Sequence, residues 1–72
     1  MSNRFKEDKL NLQLDKMREL ISKREEVFEE RSENWQESEK GQDYEMRTQV
    51  LDDIADELEN VIDSLKSWND DI

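Results

Sequence analysis

The sequence has no cysteine, no histidine and no proline, and its only glycine is Gly41. Without cysteine there is no disulfide and no thiol nucleophile. Without histidine the usual zinc ligand sets and imidazole acid–base chemistry are excluded. A chain that needs no oxidising compartment is expected in the cytoplasm. Having no proline and one glycine, it offers few points where a helix must break, so an almost wholly helical chain is expected. Long apolar runs are missing too: the opening "MSNRFKEDKL" contains none of signal-peptide length, and no segment is apolar enough to span a bilayer.

What is present in abundance is charge. Of 72 residues, 44% are charged and only 32% hydrophobic, a balance close to that of disordered chains and near the lower size limit for one core. The net charge of −10 is uneven. Residues 1–24 hold seven Lys/Arg against four Asp/Glu, whereas residues 25–72 hold four against seventeen. Such a surface is repelled by nucleic acid and by anionic membranes, and is drawn to basic protein surfaces.

The apolar residues are few but ordered. In steps of four and three, Leu10, Leu14, Met17, Ile21, Arg24, Phe28, Arg31 and Trp35 form one stripe, with Leu20 and Val27 beside it. A second stripe runs through Tyr44, Arg47, Leu51, Ile54, Leu58, Val61, Leu65 and Trp68, flanked by Val50, Ala55 and Ile62. Both follow the period of an amphipathic helix. Between them "SEKGQD" supplies a turn at residues 39–43, with Gly41 as the left-handed residue closing the first helix and Gln42 or Asp43 capping the second. The expected fold is therefore an all-α antiparallel two-helix hairpin over residues 10–72, preceded by a charged extension at 1–9 that is either helical or frayed. Folding at Gly41 sets Phe28 level with Ile54, Ile21 with Val61, Met17 with Leu65 and Leu14 with Trp68. Each stripe is wider than one partner helix covers, so a homodimeric four-helix bundle is the expected assembly.

Several residues break or decorate this pattern. Arg24, Arg31 and Arg47 stand at seam positions, where they either specify a partner or lay their stems on the core and pair with acidic neighbours. Trp35, Tyr44 and Trp68 are either partner hot spots or aromatic plugs at the two ends of the hairpin. Glu26, Glu29, Glu30, Glu33 and Glu37, with Asp52, Asp53, Asp56, Glu59 and Asp63, fall mostly off the stripes. They are either a solvating surface or a partner-binding acidic face that imitates a phosphate ladder, a DNA mimic.

Two resemblances attach to quoted residues. "EEVFE" (Glu25 to Glu29) and "DIAD" (Asp53 to Asp56) read E-E-x-x-E and D-x-x-D, similar to the metal motif of the all-α nucleotide pyrophosphohydrolases. That likeness implies Mg²⁺ held by paired carboxylates against a phosphate substrate. Such patterns arise readily where seventeen of forty-eight residues are acidic, and no catalytic, cofactor or metal residue is assigned. "FEERSENWQESEKGQDYEMRTQVLDDIADELENVIDSL" (Phe28 to Leu65), above all "ERSENWQESEKG", resembles short uncharacterised acidic helical proteins of phages and bacterial mobile elements over about half the chain. The resemblance implies a setting, the bacterial cytoplasm, and transfers no site residue. The expected function is non-catalytic protein–protein interaction, with the chain binding and inhibiting a host protein. A dimeric coiled-coil adaptor with a merely solvating surface is the alternative. The expected partners are a second copy and a basic host protein, with no cofactor, nucleic acid or membrane.

Overall fold

In the computed structural model, which describes residues 4–71, the first apolar stripe becomes α1, Glu7–Glu30. Glu7 and Asp8 place negative charge in its first turn, where the helix dipole favours it. A single-turn helix α2, Glu33–Glu37, follows, and then α3, Glu39–Asp71. No strand occurs among the described residues. Helices α1 and α3 run antiparallel along a rod whose Cα extents are 59 × 15 × 12 Å, and α2 packs against α3 at the closed end. The all-helical hairpin expected from the sequence is the architecture observed; one chain shows a single hairpin. The expectation for residues 1–9 falls partly outside the described residues, since 1–3 lie beyond them.

The chain turns back earlier than the glycine suggests. Helix α1 ends at Glu30, and the reversal spans residues 31–38 instead of 39–43. Two serines cause the break. Ser32 accepts a hydrogen bond from the Trp35 amide at 3.3 Å, and Ser38 Oγ accepts one from the Gly41 amide at 3.2 Å. Each is an N-cap followed by a glutamate in the favourable first turn, so the backbone restarts a helix twice within six residues. Gln36 secures the reversal from the other side. At the C-terminal end of α1 its Nε2 donates to the carbonyl of Phe28 at 2.8 Å, which also accepts from the Arg31 amide, and to that of Arg31 at 3.1 Å.

Gly41 is therefore not a helix terminator. It is helical, buried, and without positive φ. Its absent side chain has a different use: a Cβ there would stand 2.8 Å from the Gln36 carbonyl oxygen, and closer still to that of Trp35. Because both obstacles are backbone, only glycine lets α3 start directly against α2.

That contact also sets how α3 is rotated. Gly41, Thr48, Ala55 and Ile62 stand seven residues apart and are the buried residues of α3. They alternate with the half-buried Tyr44, Leu51, Leu58 and Leu65. The seam expected through Arg47, Ile54, Val61 and Trp68 is thus displaced by one residue. Ile54 and Val61 are 44% and 50% exposed, whereas Ala55 and Ile62 are 0% and 2%. The leucines serve either seam, but only this one places Gly41 against α2 and buries the small Ala55 completely. On α1 the expected stripe holds: Leu14 and Ile21 are buried, with Leu10 and Met17 packed beside them.

The earlier reversal changes which residues are level. Ile21 lies beside Asp52, not Val61, and Phe28 beside Glu45 and Thr48, not Ile54. The open end is closed by Asn69, which accepts from the Phe5 amide at 3.0 Å and donates to the Phe5 carbonyl at 2.9 Å. Trp68, placed there by the expected register, is exposed instead.

Gly41→Ala and Gly41→Asn are both expected to lower the unfolding free energy by about 1–3 kcal/mol, the usual cost of forcing atoms into a closed space. Asparagine should do no better than alanine in urea unfolding at fixed protein concentration. At a left-handed position asparagine would instead recover stability.

Candidate interaction faces

In an antiparallel pair, residues one step before each seam position project to one side of the hairpin, and residues one step after project to the other. This follows from a 100° turn per residue and the reversal of chain direction. The two sides of this hairpin are chemically distinct.

On the following side α1 places Asp15, Arg18, Ser22, Glu25 and Glu29, and α3 places Glu45, Gln49, Asp52, Asp56, Glu59 and Asp63. Arg18 reaches across to Asp56 at 3.3 Å and Glu59 at 2.9 Å. Both pairs are well exposed, so each contributes little to stability. A groove between the helices is lined by Arg24, Glu25, Glu29, Glu45 and Asp52 together with Phe28 and Thr48. Of the acidic residues singled out in the sequence, this side gathers Glu29, Asp52, Asp56, Glu59 and Asp63. It adds Glu25 and Glu45, which the earlier register left out. Glu26 and Asp53 fall midway between seam positions and face away from the opposite helix. Glu30 ends α1, and Glu33 and Glu37 ride on α2, all exposed at the closed end. The D-x-x-D pair is thereby separated from Glu25, Glu26 and Glu29: Asp56 is held at Arg18, and Asp53 points elsewhere. Among the described residues no three carboxylates converge as a metal site.

The preceding side carries Leu20 and Val27 from α1 and Val50, Ile54, Val61 and Trp68 from α3, all exposed. Towards the open end Phe5 joins Val61, Leu65 and Trp68 around an apolar groove. Leu12 and Met46 are exposed on the outer faces of α1 and α3, but this side gathers exposed apolar residues from both helices, and such clustering on so small a chain marks an interaction surface.

The closed end contains the aromatic and arginine candidates. Trp35 meets Phe28 with ring centroids 6.0 Å apart and Tyr44 edge-on at 5.7 Å. The Arg31 guanidinium lies 4.4 Å from the Trp35 ring centre. Arg24 lies 3.9 Å from that of Tyr44, while its Nε donates to Thr48 Oγ1 at 2.9 Å and its Nη2 to the Tyr44 carbonyl at 3.1 Å. Arg24 thus serves the seam with its stem on the core and its donors satisfied inside the chain. Arg47 is at the surface, paired with Asp43 one turn earlier at 3.4 Å. Thr48 and Asn69, the polar anchors of the two ends, escaped the sequence reading. The signal for Thr48 was its place seven residues after Gly41 and before Ala55.

No protein-family model, curated protein or solved structure matches the chain.

Arg24→Ala should cost about 2 kcal/mol, because it removes charge-assisted hydrogen bonds and leaves their acceptors enclosed. Arg18→Ala should cost less than about 1 kcal/mol, since its pairs are solvated. Urea unfolding of the two variants side by side measures the difference.

Proposed function

We propose that the chain is a non-catalytic interaction module that pairs with itself through the apolar side and offers the acidic side to a basic protein surface, whose activity it blocks. The observation that carries this reading is the segregation itself. The following side holds eight carboxylates against Arg18 and Lys66, while Leu20, Val27, Val50, Ile54 and Val61 collect on the opposite side, with Leu12 and Met46 exposed on the outer faces of the helices. A charged coat that served only solubility has no reason to gather aliphatic residues of both helices on one side and to load the other with charge of one sign.

The acidic side suits arginine and lysine side chains in particular. The groove bordered by Glu25, Glu29, Glu45 and Asp52 offers carboxylates on both walls and an apolar floor at Phe28. A guanidinium entering it gains charge-assisted hydrogen bonds while its stem lies on the ring. Carboxylates repeated along two parallel ridges also offer a basic nucleic-acid-binding cleft the spacing of charge it is built to hold. A bacterial enzyme with such a cleft is the kind of host protein the reading favours.

Capture from bacterial lysate, with bound proteins identified by mass spectrometry, supplies the test. The bound species are expected to carry basic clefts and to elute as salt is raised. Binding should fall at least tenfold when Glu29, Glu45, Asp52 and Asp56 are changed to their amides. Salt-indifferent binding that survives these changes would overturn the acidic-face reading.

A further inference from the structure

The apolar side is bordered unequally, and the inequality selects one way of pairing. On α1 the positions preceding the seam include Lys9, Lys16 and Lys23; on α3 the charged ones are Lys40, Asp43, Arg47 and Glu57, of which Asp43 is paired with Arg47. Lys23 bonds only loosely to Glu19, at 3.7 Å, and Lys9, Lys16 and Glu57 form no ion pair among the described residues. The α1 border is therefore basic, whereas the α3 border is neutral overall and offers Glu57 as its acid outside the Asp43–Arg47 pair.

We infer that two copies pack apolar side to apolar side about a two-fold axis parallel to the helices, so that α1 of each lies on α3 of the other; this rests on the self-pairing just proposed. Two closed arrangements bring these sides together. With the axis across the rod, α1 meets α1, and the lysine row of one copy faces the lysine row of the next. With the axis along the rod, that row faces the border that carries Glu57, and every neighbouring pair of helices is antiparallel. Like charges across an interface disfavour the first arrangement, and complementary charges steer the second.

Heights along the rod agree with the second arrangement. Arg18 contacts Asp56 within the chain, so Leu20 and Ile54, two residues further along each helix, stand level. Rotation about an axis along the rod preserves height. Leu20 then meets the partner's Ile54, Lys16 comes beside the partner's Glu57, and Val27 lies within a turn of the partner's Val50. These aliphatic residues are each about half exposed in one chain, Leu20 at 49%. The broad side of a rod 59 Å long and 15 Å wide has room for the roughly 800 Å² per partner that a stable interface buries.

The cysteine-free chain makes the test direct. Leu20→Cys and Ile54→Cys proteins are mixed and oxidised, and the disulfide-linked species are counted. Mixed dimers linking the two variants are expected to exceed either homodimer severalfold. A predominance of Leu20→Cys homodimers would overturn the arrangement while leaving self-pairing in place. A monomer of the unmodified chain at micromolar concentration in sedimentation equilibrium would overturn self-pairing itself, and the arrangement with it. Charge reversal gives an independent reading: Lys16→Glu should raise the dimer dissociation constant severalfold, and adding Glu57→Lys should restore it. Tighter dimers from Lys16→Glu alone would overturn the inference.

Discussion

The carbonyls of Trp35 and Gln36 press so closely on Gly41 that no side chain fits between them. Through that backbone contact α3 is held at one rotation about its own axis, with Thr48, Ala55 and Ile62 turned inward at successive intervals of seven. A rotation of about 100°, one residue's worth, would bury Ile54 and Val61 and turn Ala55 out. The hairpin would remain a hairpin, but the chemistry of both sides would change. The choice of buried row is thus also the choice of what the surface presents.

The same restriction explains why the core is thin. Among the described residues only Leu14, Ile21, Ala55 and Ile62 are buried apolar residues, with four others packed against them. Two helices in contact cover one side of each other, and the apolar positions on these two exceed one side. Burial by a second copy would roughly complete a four-helix arrangement, in which each helix has two neighbours instead of one. In the proposed pair one side would join the copies, and the acidic side would remain outward on both faces. An acidic protein of this kind presents its carboxylates twice, which favours a partner with more than one basic patch.

The reversal at residues 31–38 is built mostly from local hydrogen bonds. Ser32 and Ser38 begin new helices, and Gln36 occupies carbonyls that α1 leaves behind. Trp35, Phe28 and Tyr44 then cover it, with Arg24 and Arg31 laid over the rings. The spacing set Trp35 and Tyr44 near the closed end, but Trp35 lies within the reversal, on α2, instead of on the last turn of α1. The place of Trp68 was not legible: it depended on a register that the serines displaced.

Composition and period together determined that the chain is helical and that α1 buries Leu14 and Ile21, because a 3.6-residue repeat with no competing breaker admits no other reading there. The paired Ser-Glu steps at 32–33 and 38–39 held the position of the reversal, but a lone glycine nearby is the louder signal. Only the tertiary structure decided which of two overlapping rows on α3 turns inward. Leu51, Leu58 and Leu65 belong to both, so periodicity is indifferent between Ile54 with Val61 and Ala55 with Ile62. Local sequence cannot weigh a backbone contact made six residues away, and that contact placed the carboxylates on one side and the aliphatic residues on the other.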